Sequence, residues 1–188
     1  MNIFVGLALT GKGWERNVRV KVDQFGRISA VEVGVKASQE DQYLPNRILL
    51  PALSNLHSHS FQRAMSGLTE KRLEKRDSFW TWRKLVYSFL QYLNPREIEA
   101  IASLAFMEMM ECGYAAVGEF HYVHHQVGGY HYDNIAETSY SIINSAVKTG
   151  IGLTHLPVFY MQGGLQGQPL EKGQLRFGNK RDEFIEIL

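Results

Sequence analysis

The sequence predicts an α/β fold in two parts, a small antiparallel β-sheet followed by a parallel sheet built from βαβ units. Three observations carry this. Short strand-like runs separated by turn residues fill residues 3–35. After residue 50 the pattern changes to helices alternating with apolar strands, and the clearest helix has both a start and a stop signal. Strand, helix, strand, helix, strand is the order of a parallel sheet, whose crossovers are covered by helices. An open sheet and a barrel both satisfy it.

In chain order, "NIFVGLAL", "VRVKVD" and "GRISAVEVG" read as strands, with turn material at "TGKG" and "DQFG". The polar segment "KASQEDQ" separates them from "YLPNRILLPAL", whose unbroken "ILL" suits a strand covered on both faces. This places a boundary near residue 50, giving a small β domain over 1–50 and the first part of a (β/α) unit series over 51–188. "SFQRAMSGL" predicts a short helix, and "DSFWTWRKLVYSFLQYL" predicts one from Asp77 or Ser78 that buries Phe79, Trp82, Leu85, Val86 and Phe89. In "NPREIEAIASLAFMEMMECG", Asn94 is the N-cap, Pro95 opens the first turn, Glu97 completes a capping box and Gly113 follows the end. Ile98, Ile101, Leu104, Ala105 and Met109 form its predicted apolar stripe. "AAVGEFHY" is the next strand, "NIAETSYSIINSAVKTG" a helix ending at Gly150, "IGLTHLPVFY" a strand, and "RDEFIEIL" the start of an amphipathic helix. The chain reads as cut off there, because a full eight-unit barrel needs about 250 residues.

Composition narrows the function. The 188 residues are 45% hydrophobic and 12% aromatic, enough for a sizeable core, and the formal charge of +1 offers no basic face for nucleic acid. The expected partner is a small molecule, not a nucleic acid or a membrane. The single cysteine, Cys112, forms no internal disulfide and reads as a buried helical residue in a cytoplasmic protein. The N-terminus lacks the basic segment and cleavage pattern of a signal peptide, and no stretch approaches the roughly 18 apolar residues of a membrane span.

The chemistry gathers in "LLPALSNLHSHSFQRAMSG", residues 49–67. Alternate side chains of a strand share a face, so His57 and His59 point one way if the chain is extended there. At the end of a strand in a parallel α/β fold, two neutral imidazoles suit a metal such as Zn²⁺. Two histidines hydrogen-bonded in a loop are the plainer reading. A second cluster, "EFHYVHH", holds Glu119, His121, Tyr122, His124 and His125. Its histidines read as loop or substrate-contact residues ahead of metal ligands, since no helical frame aims two of them together. His155 lies near the same rim or in the core. Arg83, among Trp80, Trp82 and Tyr87, is either a surface side chain lying on aromatics or a clamp for a carboxylate.

"LLPALSNLHSHSFQRAMSG", "DSFWTWR" and "GYAAVGEFHYVHH", in this order, resemble the N-terminal part of the formimidoylglutamate deiminases, in the amidohydrolase superfamily. The resemblance runs over most of residues 1–160. It implies the N-terminal portion of a (β/α)₈ TIM-type barrel carrying one Zn²⁺, preceded by a small β-sheet domain that both chain ends build as a composite β-sandwich. His57 and His59 match the family's first metal ligands. Gln62, Arg83 and Tyr122 match positions that contact the substrate. Ser60 and Ala52 depart from the pattern, standing where a small apolar residue and a glycine are expected.

The implied reaction is hydrolysis of N-formimidoyl-L-glutamate to N-formyl-L-glutamate and ammonia, a step of histidine degradation. The remaining ligands, a histidine and an aspartate, and the acid/base glutamate and histidine are expected beyond Leu188. The chain alone is therefore expected to be inactive; the sequence does not read out an oligomeric state, and the resemblance allows a homodimer, as barrels of this family are often dimeric. An aminohydrolase or chlorohydrolase of a purine or triazine-like ring, using the same His-x-His, is one alternative. A non-catalytic truncated module is another.

Overall fold

The structure is a computed structural model and describes residues 1–70 and 79–188. Two compact units divide it, Met1–Ala52 and Leu53–Leu188. Among the described residues no helix is long and apolar enough to cross a membrane.

The first unit is a four-stranded sheet of β1 (Asn2–Thr10), β2 (Gly13–Val22), β3 (Ile28–Glu32) and β4 (Asp41–Leu49), in the order β3-β2-β1-β4. β1, β2 and β3 pair antiparallel, but β4 joins β1 in parallel, so the sheet is mixed and not purely antiparallel. Val5, Ala8, Val18 and Val20 form its buried core. The "ILL" run does not form a strand covered on both faces. Ile48 lies in β4, an edge strand, and Ile48 and Leu50 stay 58% and 55% exposed. Continuous apolarity fits a buried strand and an uncovered edge equally, because periodicity does not report how many neighbours a strand has.

Arg19 ties three strands together. Its Nε and Nη2 donate to the two carboxylate oxygens of Asp41 at 2.8 and 2.9 Å, and Nη1 donates to Glu32 at 2.9 Å. The hydrogen bond from Arg19 holds the Asp41 carboxyl down at about 2. A depressed carboxyl stabilises the fold above its ordinary pKa and loses that contribution as pH falls through the depressed value. Asp41→Asn is therefore expected to lower the Tm at pH 7, with the gap to the unmodified protein closing between about pH 4 and pH 2. A gap that persists unchanged at pH 2 contradicts the ion pair's role.

The second unit carries a parallel sheet of β5 (Leu53–Ser58), β6 (Tyr114–His121) and β7 (Gly152–Pro157), in the order β5-β6-β7. Its helices are α1 (Phe79–Leu90), α2 (Pro95–Glu111), α3 (Glu137–Thr149) and α4 (Arg181–Ile187). α2 follows β5 and α3 follows β6, so the βαβ order is present. The start expected for α1 at Asp77 or Ser78 lies outside the described residues. "SFQRAMSGL" forms a single 3₁₀ segment, Ser60–Met65, instead of an α-helix.

α2 begins as its sequence directs. The Asn94 side chain accepts from the backbone N–H groups of Arg96 and Glu97, and the Glu97 carboxylate accepts from the Asn94 N–H at 2.7 Å. Gly113, at φ +89°, turns the chain into β6. The face α2 buries follows the predicted stripe at Ile98 and Ala105, which are buried, and at Ile101 and Met109, which pack half-buried against the core. Leu104 is the exception at 42% exposed, and Ala102 and Phe106 are buried beside the stripe. Cys112 stands past the helix end and is exposed, not buried. In α1 only Val86 and Leu90 are fully buried, while Phe79 stays 62% exposed. Val117, Phe106, Ile142, Leu90 and Phe177 belong to one core beneath the sheet.

Candidate active site

β5 delivers the histidine pair. His57 lies within the strand and His59 one residue past it, and their Nε2 atoms are 3.0 Å apart. Two nitrogens bound to one tetrahedral zinc at 2.0–2.1 Å lie about 3.4 Å apart, so the pair is within a few tenths of an ångström of that edge. The carbonyl of Phe120, in β6, is 2.8 Å from Nδ1 of His59. A carbonyl only accepts, so Nδ1 carries the proton and the lone pair of His59 is on Nε2, facing His57. The Phe120 ring stacks on His57 with centroids 4.6 Å apart. Among the described residues no third His, Cys, Asp or Glu joins this pair.

The turn after the pair is anchored by Glu119. Along β6, Val117, Glu119 and His121 are buried on one side, and Phe120 faces the other way, toward the histidines. Oε1 of Glu119 accepts from the N–H and the hydroxyl of Ser60 at 2.7 and 2.8 Å. Burial pushes the Glu119 carboxyl up, against the hydrogen bonds of Ser58 and Ser60. Ser60, a departure from the family pattern, thus has a definite partner across the sheet.

A cavity of about 430 Å³ opens beside His59, lined among others by Arg83, Tyr87, Tyr122, Tyr160 and Phe177. Arg83, on α1, donates from Nε to the Tyr87 hydroxyl, and its guanidinium carbon lies 5.1 Å from the Tyr87 ring and 5.5 Å from the Trp80 ring. No carboxylate among the described residues forms an ion pair with it. Gln62 reaches the cavity through Tyr122, donating from Nε2 to its hydroxyl at 3.1 Å. Burial pushes the Tyr122 phenol up to about 12, so it is a neutral donor at pH 7. Gly173 packs flat against Tyr87: a Cβ there would stand 2.2 Å from the ring, which only glycine avoids.

The other histidines are not brought to this cavity. His121 bonds Thr138 Oγ1 at 3.0 Å, His124 the Val158 carbonyl at 3.0 Å, and His125 Asn179 Oδ1 at 2.8 Å. Burial pushes His124 and His155 down to about 4 and His121 well down, so all three are neutral at pH 7. His121 ends β6, and His124 and His125 lie in the loop that follows it, as the sequence suggests, but buried there. Sequence reasoning missed Phe120, Tyr160, Gln174 and Phe177, and named Glu119 and Tyr87 without these contacts. For Glu119 and Phe120, period-2 alternation in "GEFH" was an available signal, and for Tyr87 its i, i+4 spacing from Arg83. For the others there was none, since they meet only through the fold.

Residues 1–43 match the family model described as "Formimidoylglutamate deiminase HutF, N-terminal domain". The formimidoylglutamate deiminase of Pseudomonas aeruginosa PAO1 is 44% identical over 186 residues, which are 99% of this chain and 41% of that protein. The crystal structure of an amidohydrolase from Brucella melitensis aligns with a TM-score of 0.93 and 39% identity, over 99% of this chain and 41% of that one. Atrazine chlorohydrolase TrzN from Arthrobacter aurescens TC1, solved complexed with zinc, aligns at TM-score 0.61 and 20% identity, over 81% of this chain and 35% of that one, a likeness of fold alone. The chain spans about two-fifths of the length of the Pseudomonas and Brucella proteins. Along nearly all of its residues it matches the N-terminal part of the formimidoylglutamate deiminases, in the amidohydrolase superfamily.

Proposed function

We propose that the complete protein carrying this chain is a zinc-dependent hydrolase that converts N-formimidoyl-L-glutamate to N-formyl-L-glutamate and ammonia in the cytoplasm. The observation that carries this reading is one cavity bordered by His59 of the histidine pair and by a guanidinium without a carboxylate partner among the described residues. The deiminase relative supports the substrate, and the zinc-bound fold relative supports the metal. The remaining ligands and acid/base groups come from a continuation that also closes the (β/α)₈ barrel.

His57 and His59 would hold the ion through Nε2, with Phe120 fixing the His59 tautomer. When bound, zinc supplies Lewis acidity and a source of hydroxide near neutral pH. The chain's own residues then bind and orient. Arg83 takes a carboxylate of the glutamyl part, which explains why a guanidinium lies among aromatics. Gln62 donates to Tyr122, leaving the phenolic proton for the substrate. The aromatic walls exclude bulk water and strengthen both contacts. In the overall balance, water's oxygen becomes the formyl oxygen and the imino nitrogen leaves as ammonia.

A panel of formimidoylglutamate, guanine, adenosine and a chlorotriazine, assayed with the metal-loaded complete protein, tests the assignment. Formimidoylglutamate is expected to lead in kcat/KM by about 10⁴-fold, the scale at which sites built around polar groups reject ligands lacking them. A ring substrate turned over faster overturns it.

A further inference from the structure

One short segment, residues 174–179, organises the far wall of the cavity. Phe177 is buried, and three tyrosines pack around its ring: Tyr122, Tyr160 and Tyr87, with centroids 5.0, 5.7 and 6.0 Å away. Each tyrosine hydroxyl accepts a hydrogen bond from a donor behind it. Arg83 donates to Tyr87, Gln62 to Tyr122 at 3.1 Å, and Gln174 to Tyr160 at 3.0 Å. A phenol has a single proton, and none of the three is donated to an acceptor among the described residues.

Gln174 is the most constrained of the three donors. It is fully buried, its Oε1 accepts from the Glu171 N–H at 2.8 Å, and its Nε2 donates to the Gly163 carbonyl and to Tyr160, each at 3.0 Å. With amide oxygen and both amide protons engaged, the side chain has one satisfactory orientation. Tyr160 is thereby held as an acceptor toward Gln174 and left as a donor toward the cavity. Its backbone is fixed as well, by the Asn179 N–H at 2.9 Å.

Among the described residues no Asp or Glu lines this cavity, while Arg83 and three phenols offer protons to it. A cavity with donors and without carboxylate acceptors fits an anion, and a carboxylate accepts about four hydrogen bonds. We propose that Tyr160, oriented by Gln174, is a specificity-determining donor to a substrate carboxylate, acting beside Arg83. This rests on the reading of the cavity as a site for an acidic acyclic substrate. Tyr160 supplies direction where Arg83 supplies charge, so a ligand with a neutral group in place of the carboxylate loses both.

The test uses the complete protein and glutarate, a dicarboxylate without the reacting group, titrated by calorimetry. Tyr160→Phe removes one oxygen and is expected to raise the glutarate Kd about tenfold. The KM for formimidoylglutamate should rise by a similar factor with kcat nearly unchanged, the pattern of lost uniform binding. Gln174→Glu keeps the Tyr160 hydroxyl but offers it an acceptor, turning its proton away, and is expected to weaken glutarate comparably; Tyr160→Phe decides alone if that variant does not fold. An unchanged Kd for Tyr160→Phe, with Arg83→Met weakened, overturns the role of Tyr160 and leaves the carboxylate reading standing. Failure of the unmodified protein to bind glutarate overturns the inference, while ammonia release from formimidoylglutamate reports separately on the proposed reaction.

Discussion

Replacing His59 with alanine in the complete protein is expected to remove bound metal and ammonia release together, lowering kcat/KM by at least about 100-fold. That figure is a floor, because loss of residues that merely support metal ligands already costs about 10–100-fold. The geometry makes His59 the more informative member of the pair. Its Nδ1 proton is held by the Phe120 carbonyl at 2.8 Å, and its Nε2 is fixed 3.0 Å from that of His57. The ring is only partly buried and leaves no core cavity when truncated, so the fold should survive. Metal content by elemental analysis, with Tm as control, checks this. Retained zinc and retained activity in a folded His59→Ala protein return the pair to an ordinary hydrogen-bonded turn.

Arg83→Met is expected to raise KM for formimidoylglutamate about 30-fold or more, with a smaller change in kcat. Truncating one partner of a buried, hydrogen-bonded charge pair costs about 2–5 kcal/mol, and each 1.4 kcal/mol is tenfold. Methionine keeps much of the apolar stem and loses the guanidinium that lies by the Trp80 and Tyr87 rings, so the substitution chiefly removes charge and donors. An unchanged kcat/KM makes Arg83 a cation lying on aromatics and no more.

How much was legible in the sequence follows from how local each signal is. The Asn94–Glu97 capping box and the Gly113 and Gly150 stops are set by neighbours a few residues apart, and α2 and α3 form where they predict. The exposed Leu104 of the α2 stripe and the misassigned "ILL" share a cause: which apolar side chain is covered depends on what packs over it, which Leu104 and Ile48 do not record. His57 and His59 were legible because alternation along one strand brings them together. The grouping of Tyr87, Tyr160, Gln174 and Phe177 was not, since they come from α1, the loop after β7 and the segment before α4, and only the fold makes them neighbours. Glu119 was named within its cluster, but its bond to Ser60 spans 59 residues and has no local signature.

Stripping the complete protein with a chelator and titrating zinc back decides whether the His57–His59 pair holds a metal that serves hydrolysis of the formimino group. Ammonia release from N-formimidoyl-L-glutamate is followed at each step. No turnover is expected in the stripped protein, with activity rising in proportion to bound zinc up to one ion per chain. Full turnover in protein shown to be metal-free contradicts the metal's role.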